Sequence, residues 1–236
     1  MARQTLQRDI LDAIGPMIVS GIYVPGQVLR TEDLENEHNV SRTVLRETLK
    51  VLESMHLIGM RRRVGITVRE KDEWNVFDPR VIRWRLSGSD RSAQLKSLTA
   101  LRIAVEPLAA YEAAANGSPQ EKEDLSALAV LLQETGDSGD LDTYLQHDIA
   151  FHTLVLRASG NEMFSALSNV VAEVLTGRTV HHLMPDHPHP KSRRLHSLVA
   201  SSIAEGNKKG AENAMRGLLT EVAKHVTYPE NSESKV

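Results

Sequence analysis

From about residue 93 to residue 228, apolar side chains return every three or four positions. Clusters of turn-forming residues punctuate the rhythm: Gly117-Ser118-Pro119, Gly136 to Gly139, Gly160-Asn161 and Gly206-Asn207. A 3.6-residue period held over that length lays an apolar stripe along each of several helices, and those stripes are best covered by one another. The breaks carry helix-stop chemistry, so the spacing predicts helices over roughly 79–86, 93–115, 120–134, 141–158, 162–183, 191–205 and 208–228. The expected result is an all-α bundle. Aromatic residues make up 4% of the chain, few for a β-sandwich core, and Leu, Ala and Val must fill the interior instead.

The first 70 residues read differently. Leu6, Ile10, Ile14 and Met17 form a helical stripe ended by Gly21 and Pro25-Gly26, and Val28-Leu29 is a short extended piece. Thr31 is placed to cap a short helix around Leu34. Ser41 is placed to cap another, whose apolar face is Val44, Leu45, Leu49, Leu52 and Met55. Two β-like runs, LIGM and GITVRE, flank Arg61-Arg62-Arg63-Val64 and read as a hairpin. Helix, helix, turn, helix and hairpin is the order of a winged helix-turn-helix. The expected organisation is therefore mostly α. It comprises a winged helix-turn-helix over 1–70, a linker over 71–80 where the pattern breaks, an all-helical domain over 81–228, and a tail over 229–236.

Charge sharpens this division. The 236 residues carry a net charge of only −3, so no chain-wide cationic field points to nucleic acid or to an anionic membrane. Between Val40 and Arg69, however, seven bases face two acids, just after the acidic stretch Glu32, Asp33, Glu35, Glu37. On the helix capped by Ser41, Arg42, Arg46 and Lys50 share one face while the apolar residues share the other. An arginine fork suits guanine O6 and N7, and Ser41, Thr43 and the helix N-terminal amides suit phosphate. Arg61, Arg62, Arg63 and Gly65 in the hairpin would reach phosphate or minor groove. A solvated basic face is the competing account.

Cysteine is absent, which removes disulfide frameworks, thiolate zinc sites, iron–sulfur clusters and Cys nucleophiles together. Any metal must use His, Asp or Glu. No window of 18 uninterrupted apolar residues occurs, and a soluble, cytoplasmic protein without membrane contact is expected. Asp148 and His152 stand four apart on an apolar stripe with Leu145, Ile149, Val155 and Leu156, and His196 is in phase with Val199 and Ile203. Buried polar groups need partners. Either the Asp–His pair satisfies itself, or Asp148, His152 and His196 hold a divalent ion, with Zn²⁺ the first choice. Arg102 borders the seam Leu98, Leu101, Val105, with Glu106 one turn on, and a pair between the two is the plain alternative to a ligand role. His181, His182, His187 and His189 alternate with Pro185, Pro188 and Pro190, which argues for a solvated loop.

The segment GQVLRTEDLENEHNVSRTVLRETLKVLESMHLIGMRRRVGITV resembles the winged helix of GntR-type bacterial transcription regulators. LTALRIAVEPLAA and DIAFHTLVLRASGN resemble the effector-binding (FCD) domain of the FadR-type branch. EWNVFDPRVIRW is similar to members that respond to sugar acids. Two departures stand out: His56 replaces a usual Gly, and the segment before Leu34 lacks an Arg that some members use on DNA. The resemblance implies a dimeric repressor on a palindromic DNA operator, released by a small carboxylate effector. It implies Asp148, His152 and His196 as metal ligands within an effector site that also includes Arg102 and Glu106, with Arg102 on the ligand carboxylate. A fourth histidine of the family pattern is missing, because Leu218 stands there and His225 lies two turns further. No organic cofactor is implied. A metal-dependent enzyme built on the same three residues is the alternative class, although the chain lacks H-E-x-x-H, G-x-S-x-G and a phosphate-cradling loop.

Overall fold

The computed structural model describes residues 2–61, 65–181 and 188–227. The chain divides into two compact units, Met1–Arg91 and Ser92–Val236. In the first, α1 (Ala2–Val19), β1 (Val28–Leu29), α2 (Thr31–Glu37), α3 (Arg42–Ser54), β2 (Ile58–Arg61), β3 (Gly65–Val68) and α4 (Pro79–Ser87) follow in order, with a 3₁₀ turn at Lys71–Glu73 before α4. The three strands form an antiparallel sheet in the order β1-β3-β2, with Met60 opposite Ile66 and Leu29 also opposite Ile66 on the other side. Ile10, Leu11, Ile14 and Ile18 of α1, Leu45, Leu49 and Leu52 of α3, and Ile58, Ile66 and Val68 of the sheet make one apolar core. This is the winged helix-turn-helix that the pattern predicts.

Local chemistry accounts for most of it. The Ser41 side chain accepts from the Val44 amide and opens α3. Thr31, expected to cap α2, is its first helical residue, and Arg30 holds the cap position without a side-chain bond. Leu6 lies a turn beyond the packed stripe of α1 and is exposed. His56 adopts φ 59°, a left-handed conformation that costs an L side chain about 1–2 kcal/mol and that glycine adopts freely. The turn from α3 to β2 demands that conformation, which explains why glycine is usual there.

Segment 71–80, expected as a linker, is fastened down, and α4, expected in the C-terminal domain, joins the first core. Trp74 is buried and donates through Nε1 to the Arg69 carbonyl at 3.1 Å, and the Asn75 amide bonds the Met55 carbonyl. Trp84 of α4 lies against α1 and donates to Asp12 Oδ1 at 3.1 Å. Its indole sits where a Cβ on Gly15 would be, at 2.3 Å, so only glycine admits that approach. An amphipathic stretch such as PRVIRWRL reads the same whichever core it joins.

The second unit is all helical: α5 (Arg91–Asn116), α6 (Pro119–Ser138), α7 (Leu141–Ala158), α8 (Glu162–Ala166), α9 (Ser168–Val180), α10 (Pro190–Ala204) and α11 (Lys208–Thr227). The single helix expected over 162–183 is two, with a step at Leu167. There the Ser168 hydroxyl bonds the Ser165 carbonyl and competes with the helical ladder. Ala109, Ala110, Ala113 and Ala114 of α5 keep that helix slim. Around it Leu125, Leu132, Phe151, Val155, Leu175, Val199, Ile203, Met215 and Leu218 form a continuous core. α7 packs on α6 and α9, and α10 on α6 and α11. Among the described residues no helix is long and apolar enough to cross a membrane.

Candidate functional site

On α3 the two faces separate as the spacing predicts. Val44, Leu45, Leu49 and Leu52 are buried, while Ser41, Arg42, Thr43, Arg46 and Lys50 are exposed. Arg42 and Arg46 line a shallow concavity with Thr31, Leu49, Met60, Gly65 and Ile66, so the helix and the base of the hairpin present one surface. Thr31 and Met60 were not among the expected contacts, because they reach this surface only through the fold. Lys50 pairs with Glu47 at 2.9 Å, both half exposed. Arg61 ends β2 and Gly65 begins β3; Arg62 and Arg63 lie outside the described residues.

The second unit holds a cluster of charge almost without solvent. α5 supplies Arg102 and Glu106, α7 supplies Asp148 and His152, and α10 supplies His196, all buried. Arg102 Nε donates to Glu106 Oε1 at 2.5 Å and Nη2 to Oε2 at 3.4 Å. Glu106 Oε2 also meets His152 Nδ1 at 2.5 Å, across 46 residues of sequence. His196 Nδ1 bonds the Ser192 carbonyl at 2.9 Å, while its Nε2 lies 3.0 Å from Asp148 Oδ1. His152 Nε2 lies 3.4 Å from that same oxygen. Phe151 abuts both imidazoles edge-on, with ring centroids 5.8 and 5.1 Å away, and limits their rotation.

These acceptors assign the protons. Glu106 and the Ser192 carbonyl each require an N–H on Nδ1, which leaves both Nε2 atoms facing one carboxylate oxygen. A lone pair aimed at an anion is unfavourable, so a cation must lie between: either a proton on each Nε2 or a metal shared by all three groups. Among the described residues, Asp148, His152 and His196 are the group whose ligand atoms converge, within 4.8 Å of one another. A metal-bound histidine typically gives its second nitrogen to a carboxylate or a carbonyl, and both forms are present here. The donor set therefore fits a divalent ion such as Zn²⁺ with three protein ligands and an open position. Leu218, where the resemblance implies a fourth histidine, is 1% exposed, lines the cavity and offers no donor.

Protonation follows the same contacts. Burial opposes ionisation of Glu106, but Arg102 and His152 outweigh it and hold the carboxyl at about 2. Burial likewise opposes the charge on Asp148, and hydrogen bonds from His152 and His196 take it well below the usual carboxylate range. Burial lowers His152, and the Glu106 carboxylate more than restores it, so its pKa is raised. Burial and the nearby Arg102 push Arg178 of α9 down to about 10.

Arg102, Tyr144, Asp148, His152, Arg178, Ser192, His196 and Leu218 enclose a cavity of about 40 Å³, space for an ion and a water or so. Glu106 is not on its wall; it stands behind, anchoring Arg102 and His152. Tyr144 and Arg178 belong to the wall although the pattern reading passed them over. Arg178 follows the buried Val171 and Val174 at helical spacing, a phase signal of the same kind that marked Asp148. His189 is exposed, as a solvated loop residue would be; it also borders the cavity and caps α10 by accepting from the Lys191 amide at 3.2 Å. His182 and His187 lie outside the described residues.

Comparison with known proteins agrees with this architecture. Residues 6–68 match the gntR family of bacterial regulatory proteins, and residues 97–221 match the FCD domain. The galactonate operon transcriptional repressor of Escherichia coli is 28% identical over 208 residues, covering 87% of this chain and 90% of that protein. The regulator LutR of Bacillus subtilis is 29% identical over 213 residues, covering 87% and 94%. Among solved structures, E. coli McbR/YncC superposes with a TM-score of 0.55 at 19% identity, covering 96% of this chain and 99% of its own, and shares the fold. With a matching DNA-binding domain, a matching FCD domain and the buried polar cavity inside the latter, the chain belongs to the GntR family of bacterial transcription regulators and is not an enzyme.

Proposed function

We propose that the protein is a dimeric repressor that binds a palindromic operator through paired winged helices and is released by a small carboxylate. The reading assigns Arg42, Arg46 and the hairpin arginines Arg61, Arg62 and Arg63 to DNA. Ser41, Thr43, Lys50 and Gly65 position the helix and wing on the backbone. Dimerisation is assigned to the helical domain, the usual closed symmetry for such regulators. The effector site is the cavity bounded by Asp148, His152 and His196. These three would hold Zn²⁺ or a related ion, which when bound supplies a Lewis-acidic point for an effector oxygen.

The observation that carries the reading is a buried, charged cavity in the FCD domain of a chain whose other unit exposes a basic recognition face. The sugar-acid assignment draws on the galactonate repressor and on the gluconate operon repressor of B. subtilis, 26% identical over 160 residues. A ligand that binds one arrangement of the cavity wall better than another is what would couple its binding to DNA affinity. Coupling of about 1–3 kcal/mol is enough to release an operator.

The test is fluorescence anisotropy on DNA fragments flanking the protein's own gene, with D-galactonate, D-gluconate and L-lactate added, each with and without Zn²⁺. Release by one of them is the expected result. DNA binding that no carboxylate alters, with or without metal, overturns the effector assignment.

A further inference from the structure

Two arginines face the cavity, and they are in different chemical states. Arg102 is 3% exposed and already spends its Nε and one Nη on Glu106. Arg178 is 6% exposed, and its Nε has no hydrogen-bond partner. Among the described residues no carboxylate oxygen lies within ion-pair distance of it, and Asp148 attracts it only from further away. Burying an arginine in this condition is costly, and native proteins seldom retain an unsatisfied buried cation without a use for it.

Charge on the wall leads the same way. Arg102 and Glu106 cancel. Asp148 is engaged by His152 and His196, whose Nε2 atoms both lie against its Oδ1. Arg178 is then the cation on the wall without a carboxylate at bonding distance, and an entering anion is what would supply one. Its guanidinium is a planar fork that matches a carboxylate bidentately.

We infer that Arg178, rather than Arg102, is the residue that captures the effector, and that the effector is a hydroxycarboxylate whose carboxylate pairs with Arg178 while further oxygens turn toward Asp148, His152 and His196. Arg102 is then a positioning residue: through Glu106 it holds the His152 ring. The inference rests on the effector-site reading above and deepens it.

The experiment is isothermal titration calorimetry on the full-length, Zn²⁺-supplemented protein. The probes are D-galactonate, L-lactate and the neutral polyol galactitol, and the proteins are wild type, Arg178→Met, Arg178→Lys and Arg102→Met. Wild type is expected to bind a carboxylate and to ignore galactitol. Arg178→Met should weaken that binding at least about 30-fold, as loss of a charge-assisted fork implies, and Arg178→Lys should fall between. Melting without ligand separates capture from a structural role. Removing an unpaired buried cation should leave the Arg178→Met melting temperature unchanged or raised, whereas Arg102→Met should lower it by stranding Glu106. Carboxylate binding by Arg178→Met equal to wild type overturns the inference while leaving the effector reading intact. A melting temperature several degrees lower in Arg178→Met overturns it too, since the arginine would then be structural. Wild type that binds galactitol as well as it binds the carboxylates defeats the effector reading itself.

Discussion

On α3, Arg42, Arg46 and Lys50 stand in water beside a buried apolar face, whereas Arg102, Glu106, Asp148, His152 and His196 meet between α5, α7 and α10 with almost no solvent. Charged side chains do opposite work in the two places. The exposed cations cost the fold nothing and remain available to an incoming polyanion. The buried groups are mutually satisfied, and each anchors the next, so their value to a ligand lies in their being held still. Removing an exposed charge should therefore change binding without changing stability, and removing a member of this mutually bonded buried set should change both.

The largest effect is expected at Glu106, which bonds both Arg102 and His152. Glu106→Gln breaks a buried ion pair and should cost about 3–5 kcal/mol, lowering the melting temperature by on the order of 10 °C. Because the carboxylate also orients a ligand imidazole, Zn²⁺ affinity should fall about 10- to 100-fold. Calorimetric melting and a metal-competition titration measure the two losses; a variant as stable as wild type would show that the buried cluster is not a mutually supporting unit.

Next comes the pH response of the metal-free protein. The Glu106 carboxyl is held at about 2 against an ordinary 4.5, so its contribution is fully present above pH 4.5 and is lost as pH falls toward 2. By linkage that is on the order of 3 kcal/mol. The His152 pKa is raised above 6.5, so its contribution is present below 6.5 and fades as pH climbs through the folded value. Chelated protein should thus be most stable to urea between pH 4.5 and 6.5. Zn²⁺ should reverse the alkaline decline, since it requires neutral imidazole. Stability of the chelated protein that keeps rising from pH 6.5 to 8 would contradict the protonation assigned to His152.

The same contrast decides what could be read from the chain alone. The exposed basic face of α3 is legible because both stripes lie on one helix, where spacing of three and four fixes who shares a side. Asp148 and His152 were legible for the same reason. The Glu106–His152 bond spans 46 residues and the Asp148–His196 bond 48, and no local period reports a contact between helices. The resemblance offers Arg102 to a ligand carboxylate; that its partner Glu106 also holds His152 shows only in the fold. The helical phase of Arg178 marks it as buried, but phase alone does not report which cavity it faces. The place of α4 was hidden differently: only the fit of Trp84 over Gly15 shows which core the helix joins.

For the exposed set, Arg46→Ala should weaken operator binding by about 1–3 kcal/mol at each half-site, with base preference relaxed and melting unchanged. Retained sequence-specific affinity in an anisotropy titration would remove α3 as the reading helix.

The smallest effect separates reading from anchoring on α3 itself. Lys50 lies two turns from Arg42 and is paired with Glu47, half exposed, so the pair adds no more than about 1 kcal/mol to the fold. If Lys50 contacts phosphate, Lys50→Ala weakens binding equally to operator and to unrelated DNA, and the slope of log affinity against log salt falls by about one. Loss confined to the operator would move Lys50 among the base-reading residues with Arg46. An unchanged salt slope would mean that Glu47 already neutralises it, and that the DNA-facing surface of α3 ends one turn earlier, at Arg46.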